Sequence, residues 1–293
     1  MEQWYIVIDV ALCHDCNSCF MACKDEHVDN EWPGVTAPQP RHGHRWMNVE
    51  RRERGQYSRN DVAYLPIPCQ HCDNAPCVKA SKGAIFRRED GIVLIDTQKA
   101  KGNKALLETC PYGVIYWNEE ANVAQKCTMC AHLLDNPSWL PAVSRCVQPC
   151  PTGCLAQYKM EPAEMAEMIK AESLVALKPE LGTNPHVLYK NLYRFEKNHI
   201  TAGVLVNGDC FENATVTLKS QNGGMVCKPF GPGVAQCEDR SVLDIQATNC
   251  FGEFKFDGLE DGDYMVEIEA AGKTATLNVK IEHESKNLGF IEM

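Results

Sequence analysis

Four thiols fall within eleven residues at Cys13-x2-Cys16-x2-Cys19-x3-Cys23. A loop that turns three cysteines about one point has little room for regular structure, so the surrounding fold must be organised by what the thiols hold. This is the spacing by which three thiolates wrap one [4Fe-4S] cube while the fourth, a turn further on, reaches a different cube. Zinc knuckles also use C-x2-C pairs, but they seldom place four cysteines this close and then repeat the pattern. The chain has 17 cysteines in 293 residues. That is too many for an ordinary cytosolic enzyme, too dilute for a small disulfide-stapled domain, and odd in number.

The motif recurs in altered form. Cys127-x2-Cys130-x15-Cys146-x3-Cys150-Pro151 is a second four-cysteine group with a long loop before its third member. Cys69-x2-Cys72-x4-Cys77 has Ser81 where its fourth cysteine is expected. A last group keeps only Cys110-Pro111, and the preceding positions of the spacing hold Ala100, Asn103 and Leu106. In paired-cluster ferredoxins the fourth cysteine of each motif completes the partner's cluster. That swap predicts three [4Fe-4S] ligand sets: Cys13, Cys16, Cys19 with Cys150; Cys69, Cys72, Cys77 with Cys110; and Cys127, Cys130, Cys146 with Cys23. The complementary fourth site falls on Ser81, Ala100, Asn103 and Leu106, which offer no thiolate.

Cubes with four thiolates and no open iron position suit one-electron transfer rather than substrate binding. No nicotinamide or flavin fingerprint accompanies them. The chain is therefore expected to hold no catalytic residue and to need a partner that performs the chemistry. His14 and His71, beside cluster cysteines, are read as outer hydrogen-bonding or solvated groups, and Cys154 as an inert buried thiol, with a ligand swap with Cys150 as the alternative. The remaining cysteines, Cys210, Cys227, Cys237 and Cys250, match no cluster or zinc spacing and read as free buried thiols, with one or two disulfides among them as the alternative.

Two compositional units are expected, a ferredoxin-type domain with linker at 1–199 and a β-sandwich at 200–293. The formal charge of −10 divides as −2 for the first and −8 for the second, which holds 7 Lys/Arg against 15 Asp/Glu. In the first unit, β-patterned runs stand beside the cysteines at Tyr5–Val10, Ala84–Phe86, Gly91–Ile95, Val114–Trp117 and Leu155–Tyr158. A helix is predicted over Pro162–Leu174, with Met165, Met168 and Ile169 in one stripe, followed by a Pro/Gly-punctuated linker at Lys178–Asn198. The second unit alternates in six short runs separated by turns such as Asn207-Gly208 and Asp261-Gly262, the pattern of an all-β sandwich. The fold class is thus α+β, a duplicated ferredoxin-like core with insertions followed by the sandwich.

The acidic balance argues against a nucleic-acid partner. The absence of a signal-like start or a long apolar run points to a cytoplasmic protein without a membrane span. Arg41, Arg45, Arg51, Arg52, Arg54 and Arg59 lie among only two acids, Glu50 and Glu53. They read either as a solvated face or as a docking surface for a catalytic subunit, with Trp32 and Trp46 as apolar anchors.

Four such cysteine groups resemble the four-cluster ferredoxin subunits that serve molybdopterin enzymes of the dimethyl sulfoxide reductase family. Within it, GHRWMNVERRERG (43–55), REDGIVLID (88–96), QKCTMCAHLLD (125–135), KNLYRFEKN (190–198) and FGEFKF (251–256) look like the small subunits of pyrogallol-phloroglucinol transhydroxylases, over almost the whole chain. The resemblance implies three clusters, a C-terminal β-sandwich, and a heterodimer whose large subunit carries a bis-(molybdopterin guanine dinucleotide) molybdenum site. There pyrogallol becomes phloroglucinol, with 1,2,3,5-tetrahydroxybenzene as co-substrate. Related subunits serve aromatic hydroxylases, catechol dehydroxylases and other molybdopterin reductases; a free-standing ferredoxin is the rival of another class. The segments GDCFENATVTL and FGEFKFDGLEDGDYMVEI resemble carboxypeptidase regulatory-like and Ig-like domains.

Overall fold

The computed structural model describes residues 1–221 and 241–293 in full, and the backbone of the strands Met225–Pro229 and Ala235–Asp239. The chain forms two compact units: Met1–Arg51 with Tyr64–Leu192, and Arg52–Ala63 with Tyr193–Met293. The contact boundary thus falls slightly before the compositional one, and a short stretch of the arginine-rich insertion belongs with the C-terminal residues.

In the first unit the run YIVI is apolar on both faces, as a central strand must be. It lies in the strand Gln3–Asp9, whose Ile6 and Ile8 are almost wholly buried. On one side it pairs antiparallel with Leu155–Met160, and on the other parallel with Val187–Lys190, which pairs in turn with Val175–Ala176. The predicted linker at Lys178–Asn198 therefore contains a sheet strand. Its Val187, Leu188 and Tyr189 are buried, and parallel pairing leaves no hairpin turn by which sequence could announce it. The helix Pro162–Ala171 starts with proline in its first turn and a reciprocal Glu161–Glu164 capping box. Met165 packs with Tyr5, Val7, Leu174 and Leu188, and Met168 and Ile169 lie against that cluster. Two small hairpins, Ile85–Arg87 with Val93–Ile95 and Tyr116–Asn118 with Val123–Gln125, complete the core around the cysteine loops.

The second unit is mostly β with few helices. One sheet contains Asp209–Cys210, Asn198–Val206, Glu253–Leu259 and Lys286–Glu292; the other runs in the order Val242–Ala247, Thr215–Ser220, Gly262–Ala270 and Lys273–Ile281. Ile200, Ala202, Val204 and Phe256 from the first share one core with Val216, Leu218, Val266 and Ile268 from the second. Alternation along each strand puts these residues inward and leaves the acids outside.

The arginine-rich insertion is more committed within the chain than its charge suggests. It forms the paired strands Asn48–Gln56 and Arg59–Ile67. Arg54 is 4% exposed and ion-pairs with Asp61 and Asp257, while Arg52 donates to the carbonyl of Phe195 and to Asn198 Oδ1. Trp46 is buried against His27, and Trp32 stacks on His132, so neither is a free anchor. Cys210 and Cys250 are exposed, not buried; the side chains of Cys227 and Cys237 lie outside the described residues.

Candidate metal centres

None of the cysteines with described side chains forms a disulfide. The first motif leaves the end of the strand Gln3–Asp9 through a short 3-10 turn, Val10–Leu12. Its antiparallel neighbour begins at Leu155, paired with Ile8, so the loop carrying Cys150 and Cys154 arrives at the same end of the sheet. Cys13, Cys16, Cys19, Cys150 and Cys154 line one cavity with Val49 and Pro66. Asp15 and Asn17 adopt left-handed backbone, which turns the loop inside its C-x2-C spacings. Cys154 is closer to the site than the spacing implies. Its hydrogen bond to the Cys13 thiol is the main cause holding Cys13 down at about 7, against burial, and Cys154 itself is pushed far up.

Cys69, Cys72, Cys77 and Cys110 form a second group. Burial pushes Cys72 up to about 12 and Cys77 to about 11, and negative charge at Cys69 and Cys110 adds to both. Thr183 hydrogen-bonds Cys72, and its hydroxyl lies 2.6 Å from the Tyr112 hydroxyl. Cys23, Cys127, Cys130 and Cys146 form the third group, the most buried. Cys23 is raised by burial and then by charge at Cys127 and Cys130, and Cys146 by burial and then by Cys130, Cys127 and Cys23. Backbone N–H groups face these sulfurs: Met129 N donates to Cys127 Sγ and Arg145 N to Cys130 Sγ, each at 3.4 Å. Met129 and Cys130 are left-handed, which lets the loop turn its amides inward.

Charge at Cys19 reaches Cys23 and Cys146, and charge at Cys69 reaches Cys127, so the third group neighbours each of the other two. Lys126, 2% exposed, donates to the carbonyls of Val93 and Cys127, and its charge opposes the rise at Cys77, Cys110 and Cys127. Thiols buried together disfavour one another's thiolate form, and a cation relieves the conflict. Among the described residues no three His, Cys, Asp or Glu side chains converge on a point where a single metal ion could sit. A tetrahedral zinc ion needs four sulfurs about 2.3 Å from one metal. A cube spreads one thiolate to each iron, and donor sets of four separated thiols fit it.

The predicted fourth site is filled. Ala100 and Leu106 belong to the apolar core that also contains Cys72, Cys77 and Ile85, and Asn103 is exposed. Ser81 Oγ accepts from the amide of Ile85 at 2.9 Å and lies within hydrogen-bond reach of the Val78 carbonyl. Of the histidines considered from sequence, His14 is exposed, and His71 is wholly buried with its Nδ1 accepting from Val93 N. A third histidine went unremarked: His27, 1% exposed, has Nε2 3.8 Å from Cys130 Sγ. The spacing Cys19-x3-Cys23-x3-His27 could have revealed it, since residues four apart share a helix face. All three are buried on the helix Ser18–His27.

Residues 60–159 match the family model of the 4Fe-4S dicluster domain. The fold and the sites thus define a ferredoxin-type 4Fe-4S protein. The chain is 59% identical over the full length of both proteins to the pyrogallol hydroxytransferase small subunit of Pelobacter acidigallici. It is also 34% identical to a tetrathionate reductase subunit of Salmonella typhimurium, over 65% of this chain and 73% of that one, and 36% identical to the tetrathionate reductase protein of the same name in Archaeoglobus fulgidus, over 65% and 83%. The chain belongs to the family of the pyrogallol hydroxytransferase small subunit. Among the described residues no helix is long and apolar enough to cross a membrane.

Proposed function

We propose that the chain is the electron-transfer subunit of a molybdopterin enzyme that converts pyrogallol to phloroglucinol, with 1,2,3,5-tetrahydroxybenzene as co-substrate. The chemistry belongs to a large partner subunit carrying a bis-(molybdopterin guanine dinucleotide) molybdenum centre. In this chain three [4Fe-4S] clusters are held by Cys13, Cys16, Cys19 and Cys150; by Cys69, Cys72, Cys77 and Cys110; and by Cys23, Cys127, Cys130 and Cys146. The observation that carries the reading is the grouping of these twelve thiols, in which Cys23 and Cys150 each leave their own motif for the other's. Full-length similarity to a hydroxytransferase small subunit supports the substrate class.

Each cluster supplies one-electron storage at a potential set by its hydrogen bonds, charge and exposure. The chain's own residues fix those conditions: Lys126 sets charge between the second and third groups, and amides and hydroxyls face the sulfurs. The two-sheet second unit is read as an Ig-like or carboxypeptidase-regulatory-like module that braces or assembles the complex. Anaerobic purification should yield a brown heterodimer with about 12 iron atoms in this subunit by ligand count, and molybdenum in its partner. A colourless, iron-free chain that purifies alone would refute the reading.

A further inference from the structure

The geometry points to His27 as a positioning residue that donates N–H···S to Cys130 and raises the reduction potential of the third cluster. The inference rests on the proposal that Cys130 is a cluster ligand. His27 sits at the end of the helix that also carries Cys19 and Cys23, and its Nε2 lies 3.8 Å from Cys130 Sγ. The ring is held from two directions, by Trp46 at 4.9 Å between centroids and by the edge of His132 at 5.4 Å. His132 is fixed in turn by Glu26 at 2.9 Å and by the stacked Trp32. So many contacts around one imidazole leave it little rotational freedom.

Tautomer chemistry gives the arrangement its direction. A cysteine thiolate bound to iron has no proton to donate, so a hydrogen bond between these atoms requires the proton on Nε2. Nδ1 then bears the lone pair, and it has no hydrogen-bond partner in its buried site. Cys127 and Cys130 also accept from the backbone amides of Met129 and Arg145, which substitution does not remove, whereas His27 offers a side-chain contact that can be tuned. Reduction adds negative charge to the cluster and its sulfurs, and a fixed N–H dipole stabilises the reduced form more than the oxidised one. Removing the donor therefore lowers the potential.

The test is an EPR-monitored redox titration of the full complex carrying His27→Phe, which keeps ring volume without a donor, or His27→Gln, which keeps an N–H. In the Phe variant one cluster should become at least tenfold harder to reduce, about 59 mV for a one-electron couple, with the other two unmoved and the Gln variant intermediate. Unchanged potentials in a fully loaded Phe variant would overturn the assignment. If the Phe variant fails to assemble, pulsed EPR on wild-type complex labelled with 15N-histidine decides. Coupling of a histidine nitrogen to one reduced cluster supports the contact, and a third cluster without it overturns the role of His27 alone. Wild-type complex that lacks a third cluster overturns both this role and the cluster assignment beneath it.

Discussion

Arg54 illustrates how one side chain fixes a local fold. Its guanidinium is fully buried between Asp257 and Asp61, and Lys255 also reaches Asp61. Burial raises the Asp61 carboxyl, but hydrogen bonds from Lys255 and Arg54 more than offset this and hold it well below the usual carboxylate range. Asp257 is lowered in the same way, chiefly by Arg54 once burial is overcome. A depressed carboxyl stabilises the folded state above its unfolded value near pH 4, and that contribution is lost as pH falls through the folded value. The carboxylate contribution should therefore be lost below about pH 4, and His199, held down to about 4 chiefly by burial, adds a loss that begins as pH falls below about 6.5, so the second unit should weaken gradually from about 6.5 and more steeply below about 4. Arg54→Ala leaves two carboxylates short of their partner and should destabilise this unit by about 3 kcal/mol. Hydrogen exchange in the strands Asn198–Val206 and Glu253–Leu259 would report both effects, and unchanged protection would refute them.

The helix Ser18–His27 shows at the level of an element how two sites can be served by one turn of backbone. Cys19 faces the first group and Cys23 the third, four residues along the same buried face. Cys23→Ala should therefore abolish the same EPR signal as Cys146→Ala, and a different one from Cys19→Ala, although Cys19 is its neighbour in sequence. Matching losses for Cys19→Ala and Cys23→Ala would sink the swap. The loop that replaces the fourth site makes a second element-scale prediction. Leu106 is 2% exposed in a core shared with Cys72 and Cys77. Leu106→Ala should cost about 3 kcal/mol through the cavity it leaves, and thermal release of iron from the second cluster should come earlier. Cysteine spacing made the grouping of the thiols legible because covalent geometry limits what so short a loop can do. The strand Val187–Lys190 was hidden for the opposite reason: three buried residues in a short parallel pairing look like an apolar fragment of a linker. The strand Asn48–Gln56 was masked by its charges, because Asp61 lies across the hairpin and Asp257 some two hundred residues on, and periodicity gives no sign of either pairing.

At the scale of the whole molecule, the proposed function raises the question of what a relay would be for in a reaction that moves a hydroxyl group without net oxidation. The proximity of the third group to each of the other two suits a chain of single-electron steps, yet a balanced hydroxyl transfer requires none on each cycle. The proposed function is best satisfied if the clusters set the oxidation state of the molybdenum centre before turnover and restore it after adventitious oxidation. On that reading Cys72 is a ligand of one cluster of the relay, so its loss should interrupt delivery and leave the partner's chemistry intact. Cys72→Ala should lower the iron content by about four atoms of about twelve. A complex of this variant, reduced beforehand, should convert pyrogallol at close to the wild-type steady rate, and after oxidation it should recover activity with an external reductant far more slowly than the wild type. Loss of turnover in the pre-reduced variant with the partner's molybdenum still bound would mean that electrons pass through this subunit on every cycle.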